Sequence, residues 1–313
     1  MELETFRRLP TAEIAGLARQ AGPQVCVFPI NGTRRWFILE HPQEAAEGLT
    51  EAYLDITWER QRELYALFFD HGVDTLLTPI FGPDLLARDE AYLRLLEPGL
   101  LWFTRAPSLR DFYRAYDVRV RVYGDARRYL AQTTLAYVLD DFARIEQETA
   151  EHRSHRLFFG VCAHDAAETV AEIGVQFHQA HGRLPAKREI VEAYYGEYVD
   201  PVSFFIGFDR LTVFDMPLIA TGDEDLYFTV SPSPYVDQIT LRAILYDHLY
   251  ARQVAETDYA DWLAEDWQAL SEFYHVNRHH VLGVGRKHPG AGFWYPLPQV
   301  NLPLSMTHQE GNE

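Results

Sequence analysis

Short apolar runs recur through this chain at wide intervals: Val25–Ile30, Val73–Phe81, Val118–Tyr123, Leu157–Cys162, Phe204–Phe208 and Leu226–Val230. Runs of this length and composition suit strands buried on both faces. Between them lie stretches of helical period. Glu51–Asp70 carries Leu54, Trp58, Gln61, Tyr65 and Phe68 on one face, and His71-Gly72 follows as a helix stop. Asp84–Tyr116 reads as helix broken near Pro98-Gly99, Leu130–Gln147 as a second, and Asp165–His181 as a third, with Ala166, Val170, Ile173 and Phe177 on one side. Parallel neighbours need crossovers of about a dozen residues or more. The alternation predicts an α/β fold with a central, mostly parallel sheet flanked by helices. Val25–Ile30, Val73–Ile80, Val118–Tyr123 and Leu157–Cys162 should lie side by side in it.

The rest of the chain is less patterned. Residues 1–24 read as a lead-in helix, Ala186–Tyr195 as a short helix and Thr240–Gln253 as another. The tail from Gly283 reads as irregular and Met306–Glu313 as disordered, which leaves one domain over 1–305 and a tail over 306–313. A net charge of −18 argues against a nucleic-acid surface, whose phosphates call for excess Lys and Arg. Cys26 and Cys162 sit in apolar runs without zinc spacing, so buried thiols in a reducing cytoplasm are expected. The N-terminus lacks a signal-peptide apolar region, and no run is long enough to span a bilayer.

The chemistry concentrates in Val25-Cys26-Val27-Phe28-Pro29-Ile30-Asn31-Gly32-Thr33-Arg34-Arg35-Trp36-Phe37. This reads as a strand, a tight turn and two arginines opening the next segment. Gly32 lets backbone approach a ligand closely. Turn amides beside two guanidiniums suit a phosphate or diphosphate. The alternative reading is a turn with two solvated arginines. Asp140-Asp141, the one Asp pair, lacks a third acid because Arg144 stands there, and Val138 prevents a D-x-D-D reading; an exposed helix face is expected. His248 and His279-His280 have no metal-ligand spacing, and Gly283-Val284-Gly285 lacks the context of a nucleotide loop.

Read as words, Asn31-Gly32-Thr33-Arg34-Arg35-Trp36 resembles the diphosphate-binding loop of cis-prenyltransferases, the undecaprenyl diphosphate synthase family. Val118-Arg119-Val120-Arg121-Val122-Tyr123-Gly124-Asp125 is similar to another family segment, as are Arg210-Leu211-Thr212-Val213-Phe214 and Asp225-Leu226-Tyr227-Phe228-Thr229. Thr78-Pro79-Ile80-Phe81, Tyr194-Tyr195-Gly196-Glu197-Tyr198-Val199-Asp200, Phe205-Ile206-Gly207-Phe208 and Leu245-Tyr246-Asp247-His248 resemble the bacterial branch of tuberculosinol, tuberculosinyl-adenosine and kolavelool synthases. The resemblance implies a homodimer of cis-prenyltransferase fold acting on a bicyclic diterpenyl diphosphate. It implies Gly32, Thr33, Arg34, Arg35, Arg210 and Thr212 as diphosphate ligands. Asn31, Arg35 and Tyr53 are the implied catalytic positions, with Tyr53 orienting or deprotonating water. Trp36, Phe81 and Phe208 would shield a carbocation by cation–π attraction, about 2 kcal/mol or more when desolvated.

Two departures matter. Where elongating relatives carry Arg and Glu, this chain has Phe204 and Phe208, which removes charge from the second diphosphate site and disfavours chain elongation. Where the family carries the Asp that helps hold Mg²⁺, this chain has Asn31. Asn keeps the shape and loses the charge, either as a natural departure that weakens metal use or as an introduced change that traps substrate. The expected activity is ionisation of a kolavenyl-type diphosphate and water capture, giving a tertiary allylic alcohol such as kolavelool. Transfer to a nucleoside such as adenosine, and a non-catalytic binding subunit, are the alternatives. Ring construction falls to a partner class II diterpene cyclase.

Overall fold

A computed structural model describes residues 1–46, 48, 51–83, 85, 90–252, 259–289 and 293–297. The chain divides into two compact units, Met1–Leu249 and Tyr250–Glu313. The first is built on a six-stranded sheet in the order β3-β4-β2-β1-β5-β6. Its strands are β1 (Val25–Val27), β2 (Thr75–Phe81), β3 (Val118–Tyr123), β4 (His155–Val161), β5 (Phe204–Phe208) and β6 (Asp225–Thr229). Every pairing in it is parallel, so the strands expected side by side are neighbours in one sheet.

Alternation along the strands divides the core. Val25, Val27, Leu77, Phe158 and Phe205 pack toward Val191 and Tyr195 of α11 (Lys187–Tyr195), with Val170 and Ile173 of α10 (Ala167–His181) against them. Toward α5 (Glu51–Asp70), Phe28 meets Phe68 at 4.8 Å and Phe159 meets Tyr65 at 6.2 Å. Phe159 also stacks at 4.2 Å on Phe103 of α6 (Glu90–Arg105).

Several boundaries differ from the sequence reading, and local chemistry explains them. The lead-in is two helices, α1 (Leu3–Arg8) and α2 (Thr11–Gln20), because Leu9 precedes Pro10 and is pushed to extended backbone. The helix expected to break near Pro98 runs through it. The break falls at Ala106, where Pro107 opens α7 (Pro107–Ala115); the start expected at Asp84 lies outside the described residues. Leu130–Gln147 is not continuous: α8 (Ala126–Leu130) and α9 (Val138–Glu148) flank a turn. There the Thr133 hydroxyl donates to the Leu130 carbonyl at 2.8 Å and accepts from the Leu135 amide at 3.1 Å, competing with helix. The helix expected from Thr240 is α12 (Gln238–Tyr246), capped by Asp237, whose carboxylate accepts from the Thr240 amide at 2.8 Å. It passes into a π turn over Asp247–Ala251, and Gln253 lies outside the described residues.

The second unit holds α13 (Ala264–Asn277) and an antiparallel pair, β7 (Gly285–Lys287) and β8 (Trp294–Pro296). The irregular tail expected from Gly283 thus contains a hairpin. Trp294 lies so close over Gly285 that a Cβ there would meet its ring at 2.2 Å, so this glycine receives an indole rather than breaking structure. The tail expected over 306–313 lies outside the described residues. Among the described residues no helix is long and apolar enough to cross a membrane.

Candidate active site

The site forms at the carboxyl ends of β1 and β2. Strand β1 has β2 on one side and β5 on the other, so connections diverge there, which is where open α/β sheets place ligands. After β1 the chain turns at Gly32, with φ of 77°, and enters α3 (Thr33–Glu40), followed by the short α4 (Pro42–Ala45). A Cβ at Gly32 would meet Phe208 at 2.7 Å and Pro232 at 2.9 Å, so both conformation and space demand glycine.

The first intrahelical bond of α3 is the Trp36 amide donating to the Gly32 carbonyl at 3.0 Å. The amides of Thr33, Arg34 and Arg35 precede it and have no intrahelical acceptor. The first turn carries no acid and Gly32 offers no cap, so the positive helix end faces outward beside two arginines.

Ser233 locks this loop from across the sheet. The Asn31 amide donates to its hydroxyl at 3.0 Å, the hydroxyl donates to the Pro29 carbonyl at 3.2 Å, and the Ser233 amide donates to the Asn31 carbonyl at 3.0 Å. Arg60 of α5 holds the same turn by donating to the carbonyls of Pro234 and Val236 at 2.9 and 3.0 Å.

A cavity of about 360 Å³ opens from the loop. Asn31, Thr33 and Arg34 form its polar end, and Tyr53, Trp58, Phe81, Trp102 and Phe103 line the remainder. Trp58 and Trp102 stack with centroids 5.6 Å apart. A second cavity of about 440 Å³ lies alongside and shares Asn31, Pro79, Ile80 and Phe81 with the first. Its other walls include His164, Phe214 and Asp215. The shared wall is the end of β2, where the register against β4 shifts between Pro79 and Phe81. Pro79 has no amide to give the ladder, and such bulges re-aim side chains.

Of the residues singled out in the sequence, Asn31, Thr33, Arg34, Tyr53 and Phe81 come together around the first cavity. Gly32, Arg35 and Phe208 stand beside it: Phe208 packs under Gly32, and the Arg35 guanidinium lies 4.7 Å from its ring centroid and 3.2 Å from the Asp209 carboxylate. Trp36 is buried edge-on to His41 at 5.3 Å and does not line the cavity. Arg210 and Thr212 are exposed in the loop after β5 and line neither cavity.

The Asp140-Asp141 pair splits. Asp140 is exposed, whereas Asp141 is buried and accepts from Arg105 at 2.5 Å and Arg144 at 2.9 Å, so it ties helices together. His248 is buried, with Nδ1 2.7 Å from Asp225 and Nε2 3.1 Å from Gln24. Sequence reasoning missed Ser233, the Trp58–Trp102 pair and the acidic wall at Asp215. Gln61, a polar residue on an otherwise apolar helix face, was a usable signal, because it too lines the cavity.

Among the described residues no group of three His, Cys, Asp or Glu is placed to hold a metal ion. Asn31, at the junction of both cavities, offers one neutral amide oxygen. Mg²⁺ at phosphate sites is usually held by one or two carboxylates and completes its shell from phosphates and water; Asn31 would supply a neutral, weaker oxygen to an ion carried in with a diphosphate.

No family model matches the chain. It is 39% identical over 291 residues to tuberculosinyl adenosine transferase of Mycobacterium tuberculosis, covering 92% of this chain and 96% of that protein. The chain belongs to the cis-prenyltransferase family, in its bacterial diterpene branch. A second relative in this branch, (+)-kolavelool synthase of Herpetosiphon aurantiacus, is 25% identical over 284 residues, 89% of this chain and 91% of that protein. The cis-prenyltransferase fold is shared with lavandulyl diphosphate synthase from Lavandula x intermedia (TM-score 0.58, 13% identity, 74% of this chain and 97% of that one). It is also shared with a probable undecaprenyl diphosphate synthase from Campylobacter jejuni (TM-score 0.51, 12% identity, 75% and 97%). This member of the branch is a diterpene-related prenyl-transfer enzyme.

Tyr53 has a defined local partner. Its hydroxyl lies 3.1 Å from the Thr33 hydroxyl, and its ring is edge-on to Phe37 at 5.1 Å. Tyr53→Phe keeps the ring contact and removes the link to the first residue of α3. One net hydrogen bond is worth about 1 kcal/mol; lost in the transition state this is a roughly fivefold fall in kcat/KM, and lost in the folded state a drop of about 2–4 °C in unfolding temperature. Steady-state kinetics check it; unchanged turnover and products would make Tyr53 a packing residue only.

Proposed function

We propose that the protein transfers a diterpenyl group from a bicyclic diterpenyl diphosphate to a nucleoside, with adenosine the first acceptor to test. The observation that carries this reading is the pair of cavities meeting at Asn31 and Phe81. One has an anion-holding end and an aromatic body, and the other leaves room for a second substrate. Capture of water needs no such room. The relative at 39% identity, named for adenosine transfer, supports transfer over the water capture expected from the sequence.

In this reading the diphosphate sits at the amides opening α3, with Arg34 beside it and Arg35 braced by Asp209. The allylic C–O bond breaks and the diphosphate departs with the electron pair. Trp58, Trp102, Phe81 and Phe103 exclude water and face the cation, each favourable contact contributing about 2 kcal/mol when desolvated. A lone pair of the acceptor then forms the new bond to carbon. Mg²⁺, when bound with the substrate at Asn31, would neutralise charge on the leaving group. A class II diterpene cyclase upstream and a homodimeric assembly belong to the same reading.

The test is incubation with kolavenyl, tuberculosinyl or geranylgeranyl diphosphate, with and without adenosine, followed by mass spectrometry. A diterpenyl-adenosine adduct from a bicyclic substrate is expected. An alcohol as sole product at saturating adenosine would return the assignment to water capture.

A further inference from the structure

The second cavity has one acidic wall, and the fold goes to some length to present it. Asp215 stands in the loop after β5 with φ of 57°, a left-handed conformation that is uncommon for residues other than glycine. Asp209 and Leu218 in the same loop also have positive φ, at 70° and 71°. Asp visits this region more readily than most residues other than glycine; Leu218, which does not, marks a loop whose conformation is over-determined by its surroundings.

Two tyrosines of the core supply that determination. Tyr123, at the end of β3, donates its hydroxyl to the Asp215 carbonyl at 2.8 Å, and Tyr195 of α11 donates to the Pro217 carbonyl at 2.7 Å. Burial pushes both phenols well above the ordinary tyrosine range, so both remain protonated donors. The Asp215 side chain is 9% exposed, and Nδ1 of the more open His164 lies 3.9 Å from its Oδ1. Both side chains line the second cavity.

We propose that Asp215 is the acceptor-selecting residue of the second cavity, its carboxylate recognising a nitrogen heterocycle that bears an exocyclic amino group. The assignment rests on the transfer reading above. When a neutral ring nitrogen attacks the diterpenyl cation, the N–C bond forms from the nitrogen lone pair and the positive charge passes to the ring. The diphosphate has already left with the C–O electron pair, so no proton need move for the step to balance. A carboxylate opposite the ring offsets the transferred charge and accepts a hydrogen bond from the amino group.

Asp215→Asn tests this. Asn keeps the shape, removes the charge and is tolerated at positive φ, so the variant should fold, which circular dichroism checks. Wild-type protein is expected to form adduct from adenosine at least 10-fold faster than from purine riboside, which lacks the amino group. In the variant that preference should fall below about threefold, with adduct formed per diphosphate released down at least 10-fold. Adduct formation with the same preference and partition in Asp215→Asn overturns the role of Asp215 and leaves the transfer reading intact. Wild-type protein that already treats the two nucleosides alike overturns it independently of the variant. Wild-type protein that yields alcohol and no adduct overturns both.

Discussion

Asn31→Asp is expected to raise magnesium-dependent turnover at least about 10²-fold, equivalent to about 2.7 kcal/mol or more off the barrier. The backbone at this position is held in both directions by Ser233, and the side chain lines both cavities, so the substitution changes charge with little change of shape. An anionic oxygen is the ligand Mg²⁺ prefers. Without the ion, the new carboxylate would stand beside Arg34 and compete with the diphosphate for it. The gain should therefore vanish on chelation, and the variant should then be no better than the parent. Diphosphate release measured across a magnesium titration reads both outcomes. If the Asn31 protein already turns over at the variant's rate, Asn is the working residue, and leaving-group activation rests on the arginines and the α3 amides.

Arg34→Ala should lower kcat/KM by about 10²-fold or more, and Arg35→Ala by about 10-fold. The family resemblance puts Arg35 first, as a catalytic position as well as a diphosphate ligand, whereas the cavity geometry favours Arg34. Arg34 lines the cavity beside Asn31 and Thr33, whereas Arg35 is engaged by Asp209 at 3.2 Å and lies over the Phe208 ring. Charge-assisted bonds to phosphate contribute about 1.5–3 kcal/mol each. Two such bonds from one guanidinium fork, about 3 kcal/mol at the low end, correspond to the larger loss. Both side chains are exposed, so unfolding temperatures should stay within about 1–2 °C of the parent. Calorimetric binding of inorganic diphosphate with steady-state kinetics distinguishes the two. Unchanged kcat/KM in Arg34→Ala would remove it from the diphosphate site, and equal losses at both would contradict the ranking.

Much of the fold was legible because its signals are local. The apolar runs mark strands by composition, and the helical period of Glu51–Asp70 needs no distant partner to be read. Errors gathered where a nearby competitor decided the outcome. Pro98 lies inside α6, whereas Pro107 opens α7 at its first position, where the missing amide has no intrahelical acceptor to lose. Thr133 opened a turn through its own hydroxyl, and Gly285 accepted Trp294 where a breaker was expected.

The sequence by itself determined the parallel sheet and the family, and pointed to the Gly32 turn as the place to look for anion binding, because period, turn chemistry and motif words are carried by residues close together along the chain. Which aromatics line the cavity was decided only by the tertiary structure. Trp36 and Phe208, adjacent to the motif or part of it, pack beside the cavity, while Trp58 and Trp102 from two separate helices form its wall. The Ser233 lock and the acidic wall at Asp215 likewise join segments that meet only once the strand order sets β5 and β6 beyond β1. A cavity is the space that packed elements leave between them. Its walls follow from strand order and side-chain packing, which a local reading of sequence does not contain.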